Sequence, residues 1–217
     1  SGRMFYKKKG KIDELMMLSF DPASKKKIDF EQGRAISPRD FSTRNLWGIF
    51  YSPLTGKVIM QVDDQNDEVI NFYELDPDTG VEKKISNTAY IYGFELSEDG
   101  RFVAYTTRSS KDELSPGDVR VLDLVMREEK VIYKDSSEIK MAWGAVSWRP
   151  NGRGVMIVFI ASGSRQKYNL LYVPIEVAEN AQVLTATATK RSALQPLNRW
   201  LSDEEFLYTS NEADFNG

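Results

Sequence analysis

The residue types best suited to chemistry in this chain of 217 residues are concentrated in one acidic stretch, from 63 to 68. Carboxylate and amide oxygens are the hard ligands that Ca²⁺ and Mg²⁺ prefer, and this stretch carries Asp63, Asp64, Asn66, Asp67 and Glu68. Its spacing does not match an EF-hand loop, because the central glycine and the distal bidentate glutamate are both missing. We therefore interpret the stretch as a solvated hairpin loop, and we predict neither a metal site nor a cofactor.

Histidine and cysteine, which many enzymes use in catalysis, are absent from the chain. Without them it cannot assemble a Ser-His-Asp or Cys-His nucleophile system, a zinc site of the usual kind, a disulfide or a haem ligand. The hydrolase motif Gly-x-Ser-x-Gly is also missing, since the nearest run, residues 161–165, lacks the second glycine. We predict no catalytic residue, and no enzymatic activity of this chain by itself.

The charge balance and the apolar runs argue against two classes of partner. There are 29 Lys and Arg against 32 Asp and Glu, a net charge of −3, whereas nucleic-acid binders usually carry a basic surplus. The longest apolar run, 155–161, has seven residues, far fewer than the ~20 that a membrane-spanning helix needs. We expect neither nucleic acid nor membrane as a partner. No signal peptide is recognisable, residues 1–3 resemble an expression scar, and the sequence leaves a cytoplasmic and a periplasmic location open.

Two short patterns recur along the chain at a spacing near 50 residues. The first is a polar turn followed by a short apolar run, which occurs at 52–60, 97–105, 149–157 and, in a shorter copy, 202–208. The second is an aromatic or aliphatic run that ends near Asp before a turn, which occurs at 18–21, 73–76, 120–123 and 172–175. A period of roughly 40–50 residues with short β-rich runs is typical of β-propeller blades.

The repeat predicts an all-β fold, a β-propeller of four-stranded antiparallel blades with about four blades present. We divide the single domain 1–217 into a half-blade at 10–43, blades at about 44–89, 90–141 and 142–197, and a partial blade at 198–217. In the half-blade we expect strands at 12–20 and 26–30. Two interpretations stay open: the chain is cut from a longer propeller, which we favour, or its terminal half-blades pair and close a ring. A cut propeller would expose blade edges and would tend to self-associate.

The repeated segments resemble the propellers of the prolyl oligopeptidase family. In that family a strand, a Ser-x-Asp-Gly-Arg turn and a second strand recur around the ring, and an acidic segment follows. The resemblance covers roughly residues 10–217 and is carried by 62–80, 94–105 and 200–210. TolB-like periplasmic propellers share these motifs.

The resemblance implies a partner that this chain does not contain. Members of the family place the propeller beside an α/β-hydrolase domain that carries the catalytic Ser, Asp and His, and the propeller restricts access to short peptides. The implied partners are therefore the α/β-hydrolase domain of the same parent chain and a short peptide substrate. The alternative is a free-standing TolB-like scaffold for protein–protein interaction. The paired glutamates by which some dipeptidyl members grip a substrate cannot be placed in this sequence.

Two polar connections between predicted strands are the best candidates for contact with a substrate or partner. One carries Arg108, Ser109 and Lys111, and the matching connection in the next blade carries Ser164, Arg165 and Lys167. Binding residues are often found on such loops, although an ordinary surface loop is the alternative for each of them.

The four tryptophans fall near the inner strands of successive blades, at positions 47, 143, 148 and 200. They could line a tunnel and stack on a ligand. The more frequent role of such residues is to fill the wedge between neighbouring blades.

Overall fold

The computed structural model describes residues 2–86, 90–111, 115–135, 139–161, 168–176, 182–183 and 199–207. Regular structure in these ranges is β throughout, apart from one 3₁₀ turn at Phe30–Gln32. No helix in this part of the chain is long and apolar enough to cross a membrane. The chain divides into two compact units, residues 1–87 and 88–217.

The first unit contains two antiparallel sheets. The first sheet has three strands, β1 (Gly2–Lys8), β2 (Glu14–Phe20) and β3 (Arg34–Ala35), in that order. The second is a four-stranded meander of β4 (Asn45–Ser52), β5 (Lys57–Asp63), β6 (Ile70–Leu75) and β7 (Glu82–Lys84). Each strand of the meander therefore pairs with the strand that follows it in sequence.

The second unit contains two further meanders and a short two-stranded sheet. The first meander consists of β8 (Ile91–Leu96), β9 (Phe102–Arg108), β10 (Gly117–Asp123) and β11 (Glu128–Lys134). The second consists of β12 (Ile139–Trp148), β13 (Gly154–Ala161), β14 (Tyr168–Pro174) and β15 (Gln182–Val183), and the short sheet of β16 (Arg199–Trp200) and β17 (Phe206–Leu207). The predicted architecture of four-stranded antiparallel blades is confirmed: the described strands form three full blades and two partial ones.

The first sheet differs from the prediction at two places. The strand predicted at 26–30 is wrong, because Asp29 caps the 3₁₀ turn there and its Oδ1 accepts a hydrogen bond from the Glu31 amide at 3.1 Å. Such a side chain competes with strand pairing for the backbone amides. Strand β1 was not predicted, because its lysines suggest solvated charge. Its Phe5 ring stacks on Tyr51 with centroids 5.3 Å apart, a tertiary contact that local sequence does not reveal.

Apolar side chains packed between successive sheets hold the first unit together. Leu15 and Met17 of β2 pack against Val58 and Met60 of β5 and against Leu75 of β6. All five are at most 6% exposed. Full burial of one such side chain contributes roughly 1.5–3 kcal/mol, so this interface is a major source of the stability of the unit.

In the second unit, Trp148 fills the space between the two meanders. It is 6% exposed and packs in one cluster with residues of β9, β10, β11, β13 and β14. Its indole Nε1 donates to the Glu95 carbonyl at 2.9 Å, and Trp200 Nε1 donates to the Ser147 carbonyl at 3.3 Å. Each donor lies 53 residues after its acceptor, about one repeat. The wedge-filling interpretation is therefore confirmed for Trp148, whereas Trp47 is 59% exposed.

The aspartate that recurs in the sequence pattern closes the turn between the third and fourth strands of a blade. Oδ1 of Asp76 accepts from the amides two and three residues on at 2.9 and 3.1 Å, and Asp123 does the same at 2.8 and 3.0 Å. The other carboxylate oxygen binds a cation at the preceding turn. Lys57 Nζ lies 2.5 Å from Asp76 Oδ2, and Arg101 Nη2 lies 2.7 Å from Asp123 Oδ2. One residue thus connects two turns of the same blade.

The residue that ends each of these turns has a left-handed backbone, with φ of 74° at Gly80 and 62° at Arg127. A side chain in that conformation costs roughly 1–2 kcal/mol. We expect Gly80→Ala to lower the free energy of unfolding by about 1 kcal/mol, since the added Cβ meets only the Ile36 carbonyl oxygen, at 3.4 Å. Arg127→Gly, the matched change at the equivalent position, should raise it by about 0.5–1 kcal/mol. Urea unfolding measures both free energies. Effects of the same sign would contradict the left-handed backbone at these two positions.

The hydrogen bond from Lys57 and those from the turn amides lower the pKa of Asp76 from 3.8 to about 2. A carboxyl group with a lowered pKa stabilises the fold above its ordinary pKa, and this contribution is lost as the pH falls towards the lowered value. We expect Asp76→Asn to reduce the free energy of unfolding at neutral pH, with a deficit that shrinks between about pH 4 and about pH 2. Urea unfolding of the wild type and of Asp76→Asn across this pH range measures the deficit. A double-mutant cycle with Lys57→Gln gives the part that comes from the ion pair. A deficit independent of pH would exclude the ion pair as its cause.

Candidate functional site

The polar connection between β9 and β10 is built as a closed loop. At its base the Ser109 amide donates to the Pro116 carbonyl at 2.9 Å. Within it, Ser115 Oγ donates to the Ser110 carbonyl at 3.1 Å. Asp135, which follows β11, accepts from the amide of Gly117, the first residue of β10, at 3.1 Å. The loop is therefore fixed at both ends to the sheet.

A cavity of about 380 Å³ opens at this end of the sheet. Its lining comes from the loop and from the ends of the adjoining strands: Tyr90, Thr107, Arg108, Ser109, Pro116, Gly117, Asp118 and Arg120. Thr107 and Arg108 are 4% and 7% exposed, so part of the wall is formed by buried strand residues. Most of the lining residues are of polar types, but the surface that they present to the cavity is more apolar than polar.

Arg108 is placed differently from the prediction. The sequence analysis put it in the loop, but it is the last residue of β9 and is buried. Its amide donates to the Tyr90 carbonyl at 3.2 Å, which extends the pairing to the residue before the start of β8. Its guanidinium carbon lies 5.3 Å from the centroid of the Tyr92 ring, within the range of a cation–π interaction.

Arg120 of β10 is held by two carboxylates. Its Nη2 lies 2.8 Å from Asp118 Oδ2 and its Nη1 lies 2.5 Å from Glu129 Oε1, while the Tyr105 hydroxyl donates to the other oxygen of Glu129. Burial lowers the pKa of Arg120, but the hydrogen bonds to both carboxylates outweigh it and its pKa is raised. The guanidinium is therefore charged and fixed in position at the cavity wall.

The cavity is lined by arginine and hydroxyl side chains and by one carboxylate, Asp118, which is already bonded to Arg120. It contains no pair of nucleophile and general base of the serine-hydrolase type, because the chain has no histidine.

The structure places the predicted contact residues as follows. Arg108 and Ser109 line the cavity together, and Lys111 is an exposed residue of the loop. Ser164, Arg165 and Lys167 lie outside the described residues. Whether any of them contacts a partner stays a prediction.

Sequence reasoning missed Asp118 and Arg120. Both alternate along β10 with the buried Val119 and Val121. In a strand, alternate residues lie on the same face, so charged residues at this spacing indicate one polar face. That alternation was the signal that could have found them.

Residues 64–68 of the acidic stretch lie in the loop between β5 and β6, as predicted, but Asp63 is the last residue of β5 and is buried at 1% exposure, so the prediction of a solvated side chain is wrong there. Asp63 accepts from the amides of Asp67 and Glu68 at 3.1 and 2.9 Å. Asp64 is bonded to Arg39 and accepts from the Tyr73 hydroxyl, and Arg44 Nη1 lies 3.3 Å from its Oδ1. Within the described ranges, no group of three or more His, Cys, Asp or Glu side chains is arranged to hold a metal ion.

Arg39 joins this loop to β7. Its guanidinium is bonded to Asp64 and to Glu82, and its Cζ lies 4.2 Å from the centroid of the Tyr73 ring. Burial raises the pKa of Glu82, against the opposing effect of Arg39. The ion pair of Arg39 and Glu82 therefore connects the segment before β4 to β7, the last strand of the same blade.

The sequence matches no protein-family model and no curated protein. Several solved structures are similar to it. A prolyl endopeptidase has a TM-score of 0.62 and 11% identity, with 89% of this chain and 28% of that chain covered. Prolyl oligopeptidase B from Galerina marginata has a TM-score of 0.60 and 13% identity, with 89% and 30% covered. Oligogalacturonate lyase in complex with manganese has a TM-score of 0.56 and 14% identity, with 98% and 58% covered.

The fold is a β-propeller. At these identities the similarity shows the fold alone, and it agrees with the four-stranded antiparallel sheets described above. The chain spans 58% of the length of the lyase and less than a third of the length of the two peptidases.

The two carboxylates around Arg120 yield a prediction for stability. Arg120→Met removes their common cation, and we expect the free energy of unfolding to fall by about 2 kcal/mol, less than for a fully buried pair. The matched control is Arg153→Met, an exposed arginine, with an effect within about 0.5 kcal/mol. Urea unfolding measures both. Equal effects of the two substitutions would show that the network contributes nothing specific.

Proposed function

We propose that this chain is the non-catalytic propeller domain of a prolyl oligopeptidase-like serine peptidase. In this role it gates the access of short peptides and docks an α/β-hydrolase domain. The observation that carries the proposal is the fold similarity to a prolyl endopeptidase, with a TM-score of 0.62 over 89% of this chain but only 28% of the peptidase. A match of this extent is expected when one domain of a larger enzyme corresponds to the chain.

The residue inventory supports a division of labour between two domains. The peptidase reaction of this family needs a serine nucleophile activated by histidine. The chain has neither histidine nor a Gly-x-Ser-x-Gly segment, so the catalytic groups would have to be supplied by a second domain. A rigid scaffold that restricts entry needs no such groups.

The cavity at the end of the β8–β11 sheet supports peptide contact. Its wall carries the guanidinium of Arg108 at a buried strand position, whereas both terminal nitrogens of Arg120 are already bonded to Asp118 and Glu129. A peptide ligand carries carboxylate and carbonyl acceptors that such a guanidinium binds. Because that side chain is already ordered, binding a peptide there costs little side-chain entropy.

The proposal is tested by the parent reading frame. We expect it to encode a Gly-x-Ser-x-Gly segment and, later in the sequence, a histidine. A frame that ends within a few more blades would overturn the gating function and favour the alternative, a free-standing TolB-like scaffold for protein–protein interaction.

A second experiment tests the absence of chemistry in this chain. The purified chain should hydrolyse neither peptide nor ester substrates, because the general base is missing. Release of a chromogenic leaving group measures the rate, with a known serine peptidase as the positive control. Turnover that a serine-directed inhibitor abolishes would contradict the prediction.

A further inference from the structure

The turn between β12 and β13 contains an asparagine followed by a glycine, Asn151 and Gly152. Such a pair can react with itself, without an enzyme or a cofactor. The main-chain nitrogen of the glycine attacks the side-chain carbonyl carbon of the asparagine, and ammonia leaves. Glycine favours this reaction because it has no Cβ to obstruct the approach. In a folded protein, the geometry of the turn decides whether the two groups can meet.

The turn holds the two reacting groups in one small ring. Oδ1 of Asn151 accepts a hydrogen bond from the Arg153 amide at 2.9 Å, which curls the side chain forward over the next peptide unit. The ring that this hydrogen bond closes includes both Cγ of Asn151 and the main-chain nitrogen of Gly152. The bond also stabilises the negative charge that develops on Oδ1 when Cγ is attacked.

The pair is accessible to water and has room to move. Asn151 is an exposed residue, and a Cβ added at Gly152 would meet nothing within 4 Å beyond the neighbouring residues. The Gly152 amide donates to the Arg149 carbonyl at 2.8 Å, so the turn has to open locally before the nitrogen can attack. Exposed turns open at a low free energy. The hydrogen bond therefore slows the reaction without preventing it.

The equivalent turn of the preceding blade shows that an aspartate fits this position. There Asp99 stands in the place of Asn151, and its Oδ1 accepts from the Arg101 amide at 3.0 Å. Gly100 has the left-handed backbone of Gly152, with φ of 74° and 70°. The turn itself therefore does not require an asparagine.

The turn also contacts the short sheet of β16 and β17. The Asn151 amide donates to Asp203 Oδ1 at 2.9 Å, and Arg149 Nε donates to the Asp203 carbonyl at 2.6 Å. Asp203 lies in the turn between β16 and β17. A carboxylate at position 151 would stand beside the carboxylate of Asp203, and two like charges at short range repel each other.

We infer that Asn151 is a site of spontaneous deamidation, and that the reaction weakens the attachment of the short sheet. The Gly152 nitrogen forms a bond to Cγ of Asn151, the bond from Cγ to Nδ2 breaks, and the amide proton leaves with the ammonia. Water then opens the resulting succinimide at either of its two carbonyl carbons, which gives aspartate or isoaspartate. No oxidant or reductant takes part. Isoaspartate lengthens the main chain by one atom, so this product also disrupts the turn.

Peptide mapping of the purified chain, kept at neutral pH and body temperature, measures the reaction. Trypsin releases residues 141–153 as one peptide, because the bond between Arg149 and Pro150 resists cleavage. Mass spectrometry then gives the fraction of this peptide in which the amide has become an acid. Asn66, an exposed asparagine followed by aspartate, is the control within the same sample. The other Asn-Gly pair, at 216–217, lies in a different peptide and outside the described residues.

We expect deamidation at Asn151 to proceed roughly ten times as fast as at Asn66, a ratio that corresponds to about 1.4 kcal/mol in the barrier. Gly152→Ala should slow it by a similar factor, because the new Cβ hinders the nitrogen. Labelling with an isoaspartyl methyltransferase should detect isoaspartate in the wild type. Circular dichroism and urea unfolding confirm that each variant is folded.

Hydrogen exchange measures the effect on the short sheet. Asn151→Asp carries the aspartate product from the start, and exchange in residues 199–207 should be faster in this variant by up to about fivefold. In an Asp203→Asn background the same substitution should leave the exchange unchanged, because the second carboxylate is missing.

Equal rates at Asn151 and Asn66 would overturn the modification site. A rate that Gly152→Ala leaves unchanged would show that the glycine nitrogen is not the nucleophile, and would overturn the mechanism. Exchange in residues 199–207 that is the same in the wild type and in Asn151→Asp would overturn the effect on the short sheet. The proposed peptidase function stands under each of these results, because the reaction needs neither a hydrolase domain nor a peptide.

Discussion

A four-stranded meander that is apolar on both faces must be covered on both faces, and every other feature of this chain depends on that constraint. Strands such as β5 and β13 carry buried residues at successive positions, which is typical of strands sandwiched between layers. Leu15 and Val58, which share one cluster in the first unit, and Trp148 beside Phe102 of the preceding sheet in the second are examples of the resulting contacts. The turns and loops lie at the ends of the layers, outside the apolar interfaces between sheets. They are therefore polar.

The same repeat positions perform different chemistry in different blades. At the last position of the second strand, one blade has Asp63, which accepts from the amides of Asp67 and Glu68, and the next has Arg108 over Tyr92. The backbone at the two places is alike, so the scaffold constrains the position of the charge and not its sign. In contrast, Asp76 and Asp123 keep one role, since each closes a turn and binds a cation. The aspartates that close the turns thus keep the same role in both blades, whereas the residues next to the loops differ in type and in partner.

Spacing alone predicted the architecture, because a repeated turn and strand pattern encodes a blade locally. The candidate site was predictable only in part. Ser109 was found as a loop residue, whereas Arg108 belongs to β9, where only its pairing with the end of β8 reveals it. Asp118 and Arg120 could have been found from strand alternation. Trp47 lies at a register shift between β4 and β5, which is a property of two paired strands and is invisible in either one.

The indole hydrogen bonds of the second unit have a consequence for how the chain unfolds. Trp200 donates to Ser147, and Trp148 donates to Glu95, so each sheet is bonded to a backbone carbonyl of the sheet before it. Repeat proteins with such nearest-neighbour coupling lose their terminal units first and propagate the loss inwards. The last sheet, with β16 and β17 of two residues each, contacts β12 and contributes to the local opening free energy of that strand. Hydrogen exchange in this unit should therefore slow progressively from the last sheet towards β8.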